Sequence, residues 1–316
     1  MNNLKHFLGV DGGGSKTTAV VYSSDGKYVC SASGDSINYC SVGLENARQA
    51  MAEIISRLSV KEFDCAVIGS AALGGRASAE ETESFCGGII NSKKTIMDSD
   101  LYIALEAADS DGECAAVISG TGSMAVMRNA DGEIKTAGGW GYILGDEGSG
   151  YSIGLSGIKA AIRGFENTAP KTALTKKCLD YFEITNIYDL IDLYYSKSVS
   201  RKITAAFAKE VIASAENGDS VAKQIVESEA YALAETILSI IKDSDKNIKV
   251  GLWGGVFQHN PSYKEHFTAL LSKKGFCNVN LIGFTPELGA ILACFRSEGI
   301  ELTESIKQSI KKEYNI

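Results

Sequence analysis

The chain opens on an apolar run that closes at Leu8 and Val10. A second run over residues 18–22 is rich in β-branched and aromatic side chains, and Gly12, Gly13 and Gly14 lie between them. Such spacing predicts a strand, a tight glycine turn and a second strand. Asp25-Gly26 then divides residues 20–24 from 27–33 and predicts a hairpin, making three antiparallel strands. After a polar loop at 34–39, apolar positions predict a helix over 44–58, a strand of the buried parallel type over 65–70 and a helix over 79–90. A short strand over 94–97 and a helix over 101–108 follow.

The same series then begins again. Residues 114–119 read as a strand, Gly120-Thr121-Gly122-Ser123 as a glycine turn, and 124–128 as a strand. Asp131-Gly132 marks a hairpin leading to 133–136. Two such units, each opening a mixed region of helices and strands, indicate an internal duplication. A long glycine-rich loop at 138–150 precedes a helix over 151–165. Residues 172–243 are mostly helical, with the clearest 3.6-residue periodicity at 222–241. The last elements are a strand over 248–253, a turn at Gly254-Gly255-Val256-Phe257 and a helix over 261–273. A strand over 278–282, a small-residue helix over 286–296 and a charged helical tail over 301–314 complete the chain.

These patterns predict an α/β fold of two lobes, residues 1–112 and 113–297, the first completed by a C-terminal helix at 298–316. No Pro-rich or Gly/Ser-rich linker separates the halves, which predicts two closely joined lobes moving about a hinge. At 316 residues the chain can bury a core in each.

A net charge of −8 argues against a nucleic-acid or anionic-membrane partner. No apolar run reaches membrane-spanning length, and residues 1–6 run straight into the first strand, so a signal peptide is not expected. The eight cysteines are scattered without a C-x-x-C pair, mostly in apolar segments. They predict reduced core thiols in a cytoplasmic protein.

An anionic ligand on so acidic a chain must be held locally, by backbone dipoles and a few cations. Gly13 and Gly14 let N–H groups approach an anion, while Ser15, Lys16 and Thr17 add hydroxyls and a cation. Asp11, at the end of the first strand, is placed to hold Mg²⁺ through water. A glycine-rich hairpin turn with a surface lysine is the plainer alternative. There is no G-x-x-x-x-G-K-[ST], and no G-x-G-x-x-G opens a helix, so neither a P-loop nor a dinucleotide fingerprint is present. Gly120, Thr121, Gly122 and Ser123 form a second candidate phosphate turn. Gly254, Gly255 and Val256, after a buried strand, are placed to flank an adenine or ribose.

These motifs, in this order, resemble the sugar kinase, actin and heat-shock ATPase superfamily. Within it the chain is similar to N-acetylglucosamine kinases and the BadF/BadG/BcrA/BcrD ATPases. The resemblance runs through 10–17, 118–123, 138–141, 145–149 and 254–256, nearly the whole chain. It implies two actin-like (ribonuclease H-like) ATPase lobes with a cleft between them, ATP and Mg²⁺ as cofactors, and phosphoryl transfer to a sugar hydroxyl. The acceptor it implies is N-acetylglucosamine, with glucosamine and N-acetylmuramic acid as relatives, at the 6-hydroxyl and in a homodimer.

Carried over by position, the resemblance makes Asp100 the base, with Asp98 as the alternative and helix capping as the plainer role of either. It places Asn38, Thr121, Gly139, Trp140 and Asp146 around the sugar. Otherwise Asn38 is a turn residue, Trp140 core, and Asp146 part of a solvated acidic loop. Two further readings stay open: an ATPase activating a 2-hydroxyacyl-CoA dehydratase through a cysteine-held cluster, and a non-catalytic sugar or nucleotide sensor.

Overall fold

A computed structural model describes residues 4–14, 16–108, 112–196 and 198–314. The first segment forms β1 (His6–Gly12), β2 (Thr17–Ser23), β3 (Tyr28–Gly34), α1 (Tyr39–Val42), α2 (Leu44–Arg57), β4 (Glu62–Phe63) and β5 (Cys65–Ser70). It continues with α3 (Ala79–Cys86), β6 (Asn91–Ser92), β7 (Thr95–Ser99) and α4 (Asp100–Ala107). The second segment forms β8 (Cys114–Ser119), β9 (Ser123–Arg128), β10 (Ile134–Gly138), α5 (Gly150–Phe165), α6 (Leu174–Phe182), α7 (Asp189–Tyr195) and α8 (Arg201–Ala206). After these come α9 (Ala208–Glu216), α10 (Ser220–Ile241), β11 (Lys249–Trp253), α11 (Gly255–His259), α12 (Pro261–Ser272) and β12 (Val279–Leu281). Two helices end the chain, α13 (Pro286–Ser297) and α14 (Glu304–Glu313).

The duplication is visible in the sheets. One has the order β3-β2-β1-β5-β7 and the other β10-β9-β8-β11-β12. In each, the glycine turn joins an antiparallel pair (Leu8↔Val21; Ala116↔Val126), and the central strand then pairs in parallel (Val10↔Ile68; Ala115↔Val250). All six residues of β5 are buried, which is why its apolar run has no alternation: a parallel strand is covered on both faces.

The chain divides into two compact units, Met1–Asp111 with Ile282–Ile316, and Gly112–Leu281. This differs from the expected boundary at 297, because α13 belongs with the first sheet. Its small residues are the reason. A Cβ on Gly289 would lie 2.0 Å from the Ile103 carbonyl, and one on Gly9 of β1 would lie 2.5 Å from the Glu287 carbonyl. Bare backbone on both partners lets α13 lie against β1 and α4 with its Leu288–Phe295 run buried. The charged α14 also packs in this unit: Ile310 is buried, and the Tyr22 hydroxyl donates to its carbonyl at 3.2 Å.

Helix α3 is shorter than its apolar pattern suggested. It stops at Gly87-Gly88, the latter at φ +74°, and residues 91–92 pair with β4 instead. Strand β7 runs two residues further than expected, so Asp98 lies in a strand while Asp100 opens a helix. Among the described residues the cysteines are free, but Cys40 and Cys277 are exposed and not core thiols. No helix of the described residues is long and apolar enough to cross a membrane.

Candidate active site

In the first unit, β1 delivers Asp11 to the mouth of the glycine turn, where the Gly13 N–H donates to the Lys16 carbonyl at 3.1 Å. Neither Gly13 nor Gly14 has a positive φ, so the turn does not need glycine for its backbone angles. A Cβ on Gly14 would meet nothing within 4 Å. Packing inside the unit therefore gives no reason for the missing side chain, and the turn is open enough for a ligand to approach its backbone. Lys16 is exposed. Thr17 is buried, and its hydroxyl accepts the Ile37 N–H at 3.1 Å. Ser15 lies outside the described residues.

Asn38 is tied to the same turn through a residue that sequence reasoning passed over. The Ser36 hydroxyl donates to the Gly13 carbonyl at 2.9 Å and accepts the Asn38 N–H at 3.1 Å. Asn38 Oδ1 is buried and has no hydrogen-bond partner among the described residues. A buried acceptor left without a donor is costly unless a ligand supplies one, which a turn residue would not require.

The two candidate bases have unlike surroundings. Asp98 is held: its Oδ2 accepts from Arg76 Nε at 2.6 Å and its Oδ1 from the Ser99 N–H at 2.7 Å. Arg76 also lies over the Tyr102 ring, 5.0 Å from its centre. Asp100 is the first residue of α4, behind the Ser99 cap, and no cation pairs with it among the described residues. Burial raises its pKa, while the N–H groups of Leu101 and of Asp100 itself pull the other way.

Asp11 has no counter-ion among the described residues either. Burial, with the nearby charges of Glu287 and Asp100 adding to it, lifts its carboxyl to about 7. Glu287, in the first turn of α13, accepts from the Tyr314 hydroxyl at 2.9 Å. No three ligating side chains of the described residues converge into a metal cage. Mg²⁺ does not need one, since it is usually held by one or two carboxylates, water and substrate phosphate. An uncompensated Asp11 fits such an ion.

In the second unit the glycine turn is braced by the loop that follows β10. Ser119 Oγ donates to the Gly148 carbonyl at 2.7 Å and Ser123 Oγ to the Glu147 carbonyl at 2.7 Å. The Gly150 N–H reaches the Gly120 carbonyl at 2.8 Å, and Glu229 of α10 accepts the Gly148 N–H at 2.8 Å. Gly120 has open space where a Cβ would be. Gly122 has none, facing Arg201 at 2.5 Å and Asp146 at 2.8 Å. Gly139 sits at φ +74° against Met124, leaving Trp140 to project with 74% of its surface exposed. Trp140 is thus not core, and Tyr142, Ile143 and Leu144 are exposed beside it.

Asp146 departs from a solvated acidic loop in a different way. It is 3% exposed at φ +64°, its Oδ2 accepts from Arg201 Nη2 at 2.6 Å, and its Oδ1 faces the Ser123 N–H at 3.4 Å. Burial raises its pKa, against the Ser123 N–H and the Arg201 charge, which lower it.

A cavity of about 300 Å³ in this unit brings together residues of two sequence-predicted motifs, Gly120 and Thr121 with Gly255 and Val256. Gly254 stands behind it at φ +105°, with the Ser119 carbonyl 2.3 Å from any Cβ. Lys202, Lys209, His259 and Asn260 line the same cavity and were not foreseen. Asn260-Pro261 was legible as a helix start, but the two lysines come from α8 and α9, whose sequence carries no motif. A larger hollow of about 430 Å³, bordered by Ser156, Lys159, Arg163 and Glu229, holds none of the predicted residues.

Two like sheets, two glycine turns and a cavity joining the second turn to a strand–turn–helix define an actin-like nucleotide-binding ATPase fold. Comparison with known proteins narrows the class. The chain belongs to the BadF/BadG/BcrA/BcrD ATPase family, whose profile matches residues 8–293. It is 31% identical over 282 residues to the N-acetylmuramic acid/N-acetylglucosamine kinase of Clostridium acetobutylicum, covering 85% of this chain and 91% of that one. It is 30% identical over 321 residues to the N-acetyl-D-glucosamine kinase of Dictyostelium discoideum, covering 92% and 98%. A solved protein of Chromobacterium violaceum shares the fold at a TM-score of 0.70 and 20% identity, over 91% of this chain and 98% of the other.

Proposed function

We propose that the protein is an ATP-dependent amino-sugar kinase that phosphorylates the 6-hydroxyl of N-acetylglucosamine, glucosamine or N-acetylmuramic acid. Named kinases for these sugars among its relatives support the acceptor class. The observation that carries the mechanism is the contrast between Asp98, held by Arg76, and Asp100, which has no cationic partner among the described residues.

Asp100 accepts the hydroxyl proton as the sugar oxygen attacks the γ-phosphorus of ATP. The bond to the β–γ bridging oxygen breaks, and ADP leaves with that electron pair. Backbone N–H groups of Leu101 and Asp100 favour the carboxylate form, against the burial that raises its pKa. Asn38 Oδ1 accepts a sugar hydroxyl, Trp140 stacks on the pyranose face, and Thr121, Gly139 and Asp146 complete the acceptor contacts. Gly13, Gly14, Ser15, Lys16 and Thr17 form one phosphate turn. Gly120, Thr121, Gly122 and Ser123 form the other, and Gly254, Gly255 and Val256 flank the nucleoside. Mg²⁺, held by Asp11 through water, supplies charge neutralisation on the phosphates. A cytoplasmic homodimer belongs to this reading.

The test is ADP release with Mg-ATP against these three sugars and glucose, for wild type and Asp100→Asn. Sugar-dependent turnover that collapses in the variant supports the reading. Slow ADP release indifferent to every sugar overturns it.

A further inference from the structure

Arg201 opens α8, a helix of six residues capped by Ser200, and no motif marks it. The helix is seated without slack, because a Cβ on Gly154 of α5 would lie 2.0 Å from the Thr204 carbonyl. From this mounting Arg201 Nη2 donates to Asp146 Oδ2 at 2.6 Å, and the guanidinium lies over the Tyr142 ring, 5.2 Å from its centre. One side chain thus grips both ends of the 142–146 stretch. Asp146 is buried in the left-handed region, an arrangement that persists only where its surroundings hold it. A carboxylate has about four acceptor positions. Arg201 and the Ser123 N–H face two of them.

We propose that Arg201 is a positioning residue, fixing the Asp146 carboxylate so that its remaining lone pairs receive hydroxyls of the acceptor sugar. This rests on Asp146 being an acceptor contact, as in the function proposed above. The next residue, Lys202, lines the nucleotide cavity. Displacement of α8 as a whole would therefore be felt by ATP, whereas loss of the Arg201 grip alone is felt by the sugar.

The experiment measures kcat and KM for sugar and for ATP in wild type, Arg201→Met, Arg201→Lys, Asp146→Asn and the double variant Arg201→Met/Asp146→Asn, with a thermal melt of each. Removal of a charged hydrogen-bond partner predicts a rise in sugar KM of about 10-fold or more in Arg201→Met. The ATP KM should stay within about twofold. Arg201→Lys should recover part of the loss, and Arg201→Met should add less than about twofold in the Asp146→Asn background. Unchanged sugar KM, equal rises for sugar and ATP, or full additivity with Asp146→Asn would overturn the assignment while leaving the kinase standing. A wild type that turns over no sugar overturns both.

Discussion

The two units repeat one sheet topology but treat the acids near their glycine turns in opposite ways. In the first, Asp11 stands one residue before the end of β1, beside Glu287 and Asp100, with no cation among the described residues to offset them. In the second, Ser119 ends β8 and its hydroxyl is committed to Gly148, while the nearby buried acid, Asp146, is neutralised by Arg201. The first turn is loosely packed at Gly14, and the second is braced by the 146–151 loop. Duplication has thus preserved the backbone plan while the charge logic has diverged. The first unit holds uncompensated negative charge that a bound cation would relieve, and the second is braced by its own hydrogen bonds.

Changes that erase or invert this difference should have graded effects. The largest falls on Asp100→Asn, which keeps the shape and removes the proposed base. It is expected to lower kcat by about 10²–10⁴-fold, with an unchanged melting temperature, in a coupled ADP assay.

Next comes a pair of glycine substitutions, one packed against the second turn and one in the first. Gly254→Ala places a Cβ 2.3 Å from the Ser119 carbonyl at φ +105°, so denaturant unfolding should show a loss of about 2 kcal/mol or more. Gly14→Ala meets open space and should leave stability within about 0.5 kcal/mol while raising the ATP KM. Equal destabilisation by the two would remove the contrast between a loose and a braced turn.

A smaller effect concerns Asp11 and pH. Its folded pKa, about 7, lies above the unfolded 3.8, so between these values the folded state binds more protons and stability falls as pH rises. Asp11→Asn should therefore stabilise the ligand-free protein by about 1–3 kcal/mol at pH 8 and by little at pH 4. Added Mg²⁺ should raise the pH 8 melting temperature of wild type more than that of the variant. A flat difference between the two proteins from pH 4 to pH 8 would contradict the uncompensated acid.

The smallest belongs to Trp140→Ala. A side chain this exposed contributes little to folding, so the melting temperature should hold while the sugar KM rises by about 10-fold. A marked drop in melting temperature would return Trp140 to a structural role.

Elements with a one-dimensional signature were legible in the chain. The β8 strand lies where its apolar run put it, and the two glycine turns and Asp-Gly hairpins are where their local chemistry required. The end of α3 and the start of α4 were less legible, since Gly87-Gly88 and the Ser99 cap outweigh the apolar pattern around them. Asp98 and Asp100 could not be told apart in sequence, because the difference is Arg76, which reaches Asp98 from 22 positions away.

The sequence by itself determined the duplicated strand–turn–strand plan, the polar turns and the family, because strand-forming runs, glycine turns and Asp-Gly hairpins, with Gly26 and Gly132 at positive φ, are local patterns that recur at set spacings. Tertiary structure decided the rest. It decided that α13 joins the first unit through Gly9 and Gly289, and that Arg201 and Lys202 take up posts beside Asp146 and the cavity at the second glycine turn. It also decided that Asp11 stands among acids instead of beside a cation. Charge compensation and helix seating depend on which distant side chains meet across a packed core, and no local spacing encodes that.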